Sequence, residues 1–178
     1  MLKLIKPNLD YKEKYIDMID EWQKYGEPFE PCIINYDCNN SIDELNYDAV
    51  IDVANNYSNG KIYDYDIDYF KSSEFYFIVD EDELIGMCEL RHGLSSLGQE
   101  IKGNINCGIR PSKRNKGYCQ NAINELIKQF KENNQNNIFM CFEENNTIMS
   151  KVANYLNFQY SGISDVEEKK ILSYKRSI

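Results

Sequence analysis

Near residue 75 the spacing of apolar residues changes from three-to-four to two, and that switch constrains the fold more than any other feature of the chain. Before it, Tyr15, Met18, Ile19 and Trp22 recur at helical spacing and stop near Gly26. They follow Asp10-Tyr-Lys-Glu13, a capping box in which the Asp accepts an orphan amide and Glu13 reaches back. Ser41-Ile-Asp-Glu44 opens a second such segment through Leu45, Ala49 and Val53, ending by Gly60. After the switch, Phe75–Val79, the acidic turn Asp80–Glu83 and Leu84–Leu90 predict a hairpin. A loop with Gly93 and Gly98 leads to a strand over 104–109. Ala122, Ile123, Leu126, Ile127 and Phe130 then mark a helix behind Gly117. Ile138–Phe142 is a buried strand, Ile148–Leu156 a helix, and Lys170–Tyr174 a last strand. With a short strand over 2–6, the order is β-α-α-β-β-β-α-β-α-β, an α+β fold.

The 178 residues carry no linker or repeat, which predicts one domain over 1–178. No apolar run approaches the ~20 residues of a membrane span. The N-terminal apolar stretch is too short for a signal peptide and is interrupted by Pro7, so the chain reads as soluble and cytoplasmic. Lys and Arg number 20 against 29 Asp and Glu, a net charge of −9. Nucleic acid and anionic membranes need clustered cations and are therefore not expected as partners, whereas cationic amines suit an acidic surface. Cys32, Cys38, Cys88, Cys107, Cys119 and Cys141 form no CxxC pair and are expected as thiols. With His92 as the one histidine, no metal site is expected. Asp64-Tyr-Asp-Ile-Asp68 begins like a calcium loop, but Tyr69 and Phe75 stand where Gly and Glu are required. It reads as a polar loop or edge strand, and Tyr63, Tyr65 and Tyr69 as packed strand aromatics or the lining of a groove.

Asn106-Cys-Gly-Ile-Arg-Pro-Ser-Lys-Arg-Asn-Lys-Gly-Tyr-Cys-Gln-Asn121 carries the chemistry. A strand runs into Pro111, a turn holds Lys113, Arg114 and Lys116, and a helix starts at Gly117. Helix N-terminal amides and their dipole favour an anion, and Gly117 lets it approach the backbone. The pattern lacks the GKS or GKT end of a P-loop and the three spaced glycines of a dinucleotide fingerprint. A pyrophosphate cradle and a plain solvated basic turn both fit these residues.

Arg114-Asn-Lys-Gly-Tyr-Cys119 resembles the acyl-CoA signature Arg/Gln-x-x-Gly-x-Gly/Ala of the GNAT superfamily of N-acetyltransferases. Ile109-Arg-Pro111 is similar to that family's strand-to-loop exit. Asn146–Phe158 resembles its second block, in which Asn opens a helix closed by Gly-Phe. Leu90-Arg-His-Gly-Leu94 resembles a bacterial subgroup with an Arg-His-x-Leu segment, though Asn104 stands where that subgroup carries His. The resemblance covers roughly residues 1–160 and implies a mixed, mostly antiparallel central sheet flanked by helices. It implies direct acetyl transfer from acetyl-CoA to a primary amine, on a small molecule or a protein, with the first two helices shaping the acceptor site. A homodimer is compatible with it.

For the cofactor the resemblance nominates Ile109, Arg110, Arg114, Asn115, Lys116, Gly117, Tyr118, Cys119 and Asn146. Cys119 replaces the usual Gly or Ala, and Asn157 the Gly before Phe158, where Asn tolerates a left-handed helix end. Ala153 fills the place where many relatives carry a Tyr that protonates the leaving thiolate. An amine must lose a proton before it attacks. His92, whose side chain titrates near neutrality, and Glu89, on the same strand, are the candidate bases, with water as the remaining route. Residues 103–109 hold no carboxylate; Glu143 and Glu144 either line the acceptor site or are a solvated strand end. The rival reading is a degenerate member that binds acyl-CoA as a sensor without turnover.

Overall fold

Strands from both ends of the chain meet in one sheet of seven strands in the order β1-β2-β3-β4-β5-β7-β6. The computed structural model describes residues 1–27, 29–31, 33, 46–130 and 136–178. In chain order its elements are β1 Lys3–Ile5, α1 Lys12–Tyr25, α2 Tyr47–Ser58, β2 Ser72–Asp80, β3 Glu83–His92, α3 Ser96–Ile101 and β4 Ile105–Ile109. They continue as α4 Tyr118–Gln129, β5 Asn137–Glu143, α5 Thr147–Tyr155, β6 Gln159–Val166 and β7 Lys169–Ser177. All neighbouring strands pair antiparallel except β4 and β5. The expected α+β class and mostly antiparallel sheet flanked by helices are what the chain adopts.

Alternation along β2 and β3 splits the core between two faces. Phe75, Phe77, Val79, Leu84 and Met87 pack with Tyr15, Met18, Ile19 and Trp22 of α1 and with Tyr47, Val50 and Tyr57 of α2. Tyr76, Ile78, Ile85, Cys88 and Leu90 pack on the other face with Ala122, Ile123 and Leu126 of α4 and with Val152 and Ala153 of α5. Burying whole Leu, Ile and Phe side chains on both faces contributes about 1.5–3 kcal/mol each, which is what holds helices of modest propensity to the sheet.

Several local readings need correction. The first cap is Asn8, whose Oδ1 accepts from the Asp10 amide at 3.1 Å and opens a 3-10 turn ahead of α1. The buried stripe of α2 is Tyr47, Val50, Ala54 and Tyr57, one residue on from the expected one, and Ser41–Glu44 lies outside the described residues. α3 was expected as loop, because only Gly98 of its six residues is buried and no apolar stripe marks it. β6 was missed because its mostly exposed residues carry no period-two signal; its ladder with β7 forms it. Tyr63 and Tyr65 lie in a turn, not a strand, and stack at 5.4 Å between centroids. The left-handed end of α5 is as expected: Asn157 has φ 60° and the Phe158 amide donates to Ala153 O at 2.9 Å.

Candidate active site

β4 and β5 part company soon after they meet. They share the parallel pair Ile105↔Met140 and no further pair. Asn104, fully buried, clamps the closed end: its amide donates to Phe139 O at 2.8 Å, its Oδ1 accepts from the Phe139 amide at 2.9 Å, and its Nδ2 donates to Arg91 O at 2.9 Å. The bonds from Arg91 N to Asn104 O and from Arg110 N to Ile85 O set the alternation of the β3–β4 ladder. Asn106 and Gly108 therefore exchange bonds with β3, while the amides of Cys107 and Ile109 point to the opened edge. Such amides can donate to the oxygen of a ligand laid along that edge.

The edge leads into the basic turn. Asn115 at φ 62° and Gly117 at φ 80° are both left-handed and swing the chain into α4. Gly117 is the N-cap and brings no side-chain cap, so the first-turn amides, from Tyr118 to Gln120, keep their N–H groups for another acceptor. A side chain at Gly117 would face open space, with Gln120 Oε1 the nearest atom at 3.9 Å. The groups left open at this turn are backbone amides.

Most cations of the turn are already engaged. Arg110 donates through Nε to Glu21 at 2.6 Å and through Nη2 to Asp17 at 2.8 Å. Burial pushes the Glu21 carboxyl up, but the Ser112 amide at 2.6 Å and Arg110 outweigh it and hold Glu21 below its ordinary value. Lys113 pairs with Glu83 at 2.5 Å. Arg114 pairs with Glu27 at 2.7 Å, donates through Nε to Ile109 O at 3.0 Å and lies over the rings of Trp22 and Tyr25. Among the described residues Lys116 has no such ion pair.

On the α1 side the wall is a segment that sequence reasoning passed over. A Cβ on Gly108 would stand 1.7 Å from the carbonyl oxygen of Glu30 and 3.2 Å from Trp22 Cη2, so the 29–31 backbone lies directly on β4. Solvent reaches Glu30, yet its carboxyl is pushed above the ordinary value, first by burial and then by Glu143 and Glu89, against the lowering pull of Arg91 and Lys169. No local motif marks Glu30; only its contact with Gly108 does. Among the described residues, the Trp22 indole N–H and Arg91 Nε are buried without a hydrogen-bond partner.

The two candidate bases lie on opposite faces of β3. Glu89 shares the α1-side face but is only 4% exposed, accepting from Ser73 Oγ at 2.7 Å and Arg91 Nη2 at 2.6 Å. His92 stacks on Phe130, on the α4 face, with 5.9 Å between centroids. It lies six residues along β3 from Gly86, the partner of Ile109, about 20 Å away at strand rise. Its Nε2 is 3.3 Å from Glu74 Oε2, and the hydrogen bond from His92, with help from Lys6, holds Glu74 down at about 2. A carboxylate depressed from 4.5 to about 2 stabilises the fold above its unfolded value and loses that contribution as pH falls through about 2. The stability gap between wild type and Glu74→Gln is thus expected to shrink as urea midpoints are followed from about pH 6 to about pH 2. A gap independent of pH would show that the contact is energetically silent.

Asn146 caps α5, its Oδ1 accepting from the Met149 amide at 3.1 Å, and Ala153 is fully buried in the core. Tyr118 donates to Asp80 at 3.0 Å. Cys119 lies 4.0 Å from Met149. Cys88, Cys107, Cys119 and Cys141 are thiols; Cys32 and Cys38 lie outside the described residues. The Cys107 thiol is pushed up by its hydrogen bond with Cys119 and by burial, Cys88 by burial, and Cys141 to about 12 by burial, which keeps these three protonated. Among the described residues no group of three or more His, Cys, Asp and Glu side chains is placed to hold a metal, and no helix is long and apolar enough to cross a membrane.

A sheet opened beside an uncapped, glycine-led helix N-terminus leaves backbone amides free along a strand edge and at a helix start. The chain belongs to the acetyltransferase (GNAT) family, whose model matches residues 41–158. No curated protein sequence matches it. Among solved structures it is similar to the microcin C7 self-immunity acetyltransferase MccE in complex with acetyl-CoA and AMP, at 16% identity and TM-score 0.65 over 99% of this chain and 92% of that one. It is also similar to the Salmonella typhimurium acetyltransferase that modifies the N-terminal serine of ribosomal protein L7/L12, at 13% identity and TM-score 0.69 over 99% and 95%. Mycobacterium smegmatis RimJ in complex with CoA-disulfide aligns at 12% identity and TM-score 0.72 over 99% and 81%. At these identities the likeness is one of fold.

Proposed function

We propose that the chain transfers acetyl from acetyl-CoA directly to a primary amine of a small molecule or a protein. The observation that carries this reading is the opened edge of β4 running into the uncapped N-terminus of α4. The pyrophosphate would take the amides after Gly117 with Lys116 beside it, and the Cys107 and Ile109 amides would face the pantetheine and the thioester oxygen. Asn115, Tyr118 and Cys119 contribute backbone to that cradle. Arg110 and Arg114 act by fixing the turn to α1, and Asn146 by fixing the start of α5. Structures with this fold include an acetyltransferase that modifies a ribosomal protein's N-terminal serine and a microcin self-immunity acetyltransferase, and the first supports an amine acceptor. The free thiols suit a reducing cytoplasm.

Calorimetry with acetyl-CoA, followed by release of free CoA thiol against an array of amines, tests the reading. Binding with amine-dependent thiol release is expected. Absence of binding would end the assignment. Ala153, a buried methyl where a proton donor is usual in the family, favours one rival, a sensor that binds acetyl-CoA without turnover. Tight binding with no thiol release across the array would select it.

A further inference from the structure

We infer that Glu30 is the group that takes the proton from the acceptor amine at the opened edge of β4. This rests on the acetyl-transfer reading above. A base there must lie on the α1-side face of the opened strands, reach solvent, and keep its carboxylate unclaimed by a close cation. Glu89 fails the last two conditions, being buried and held by Ser73 and Arg91. Glu143 is paired with Lys169 at 2.5 Å. His92 faces α4, at the far end of β3. Glu30 meets all three: its backbone rests on Gly108, solvent reaches it, and among the described residues no hydrogen bond or ion pair holds its carboxylate.

The charges around Glu30 come from three strands: Glu89 and Arg91 on β3, Glu143 on β5 and Lys169 on β7. Burial raises its pKa most, the two carboxylates raise it further, and the two cations lower it. A carboxyl raised above its ordinary value is a stronger proton acceptor, when ionised, than an ordinary surface glutamate. The same carboxylates make this mouth a site for a cationic amine. In the step, Glu30 accepts one ammonium proton and the freed lone pair attacks the thioester carbon. The C–S bond then breaks and CoA leaves as thiolate. The second nitrogen proton reaches the thiolate through solvent, and Glu30 returns its own proton to water.

The test compares Glu30→Gln and Glu30→Asp with wild type, using acetyl-CoA and two amine probes, an N-terminal-serine peptide and an alkyl diamine. Glu30→Gln is expected to lower kcat by about 10²–10⁴-fold, the usual range for a lost general base. Acetyl-CoA affinity should stay within about twofold, because the first amides of α4 and not Glu30 would hold the pyrophosphate. The rising limb of the kcat/KM pH profile, set above the ordinary carboxylate value of about 4.3, should vanish in Glu30→Gln and return in part in Glu30→Asp. Wild-type turnover with an unchanged pH limb in Glu30→Gln overturns the inference and leaves acetyl transfer standing. A wild-type protein that releases no thiol with either probe overturns both together.

Discussion

Gly108→Ala is expected to cut amine acetylation by at least about 10²-fold, the cost of misplacing a reacting group by about 1 Å. The added methyl would sit 1.7 Å from Glu30 O, 2.8 Å from Glu30 C and 3.2 Å from Trp22 Cη2. Two of those atoms belong to backbone, so no rotamer change relieves the clash, and the 29–31 segment must lift off β4. Overpacking of this kind costs about 1–3 kcal/mol of stability, which a thermal melt reads separately from turnover. Acetyl-CoA affinity should fall much less than kcat, because the pyrophosphate would be held by the first amides of α4 and not by Gly108. Wild-type turnover in a well-folded Gly108→Ala protein would show that the segment over Gly108 plays no part in the reaction.

Gly117→Val should weaken acetyl-CoA binding by at least about tenfold, equivalent to about 1.4 kcal/mol. Valine resists φ 80°, and its side chain would crowd the open side from which an anion approaches the first amides of α4. The space around Gly117 is solvent, so the variant should still fold, and calorimetry then reads binding directly. Unchanged affinity would remove the cradle from this turn. A companion pair separates amide from side-chain contributions. Lys116→Ala should flatten the salt dependence of binding more than Arg114→Ala does, since Glu27 already neutralises Arg114.

The turn illustrates how far a local pattern carries. Three cations before a helix are visible in a list of residues, and so is the glycine that opens α4. Which cations remain for a ligand is not, because Asp17, Glu21, Glu27 and Glu83 come from α1, its end and the start of β3. That His92, the last residue of β3, stacks on Phe130 on the α4 face follows from strand parity and is likewise not visible in a list of residues. Glu89, two residues from Arg91, was open to a plain ion pair, and Ser73, 16 residues away in sequence, closes it from the other side.

By itself, the sequence determined the elements that bury a repeating apolar stripe: α1, α4, α5, the β2–β3 hairpin and β5. It also determined the left-handed turns at Gly117 and Asn157, since these depend on one residue's freedom at φ > 0. Short or exposed elements such as α3 and β6 left no such trace, because pairing and caps hold them more than a buried face of their own. Only the tertiary structure decided where β4 and β5 separate, because that depends on Asn104 bonding at once to β3 and β5. It alone brought Glu30 against Gly108, two residues 78 positions apart with no shared motif, whose contact follows from packing across the sheet.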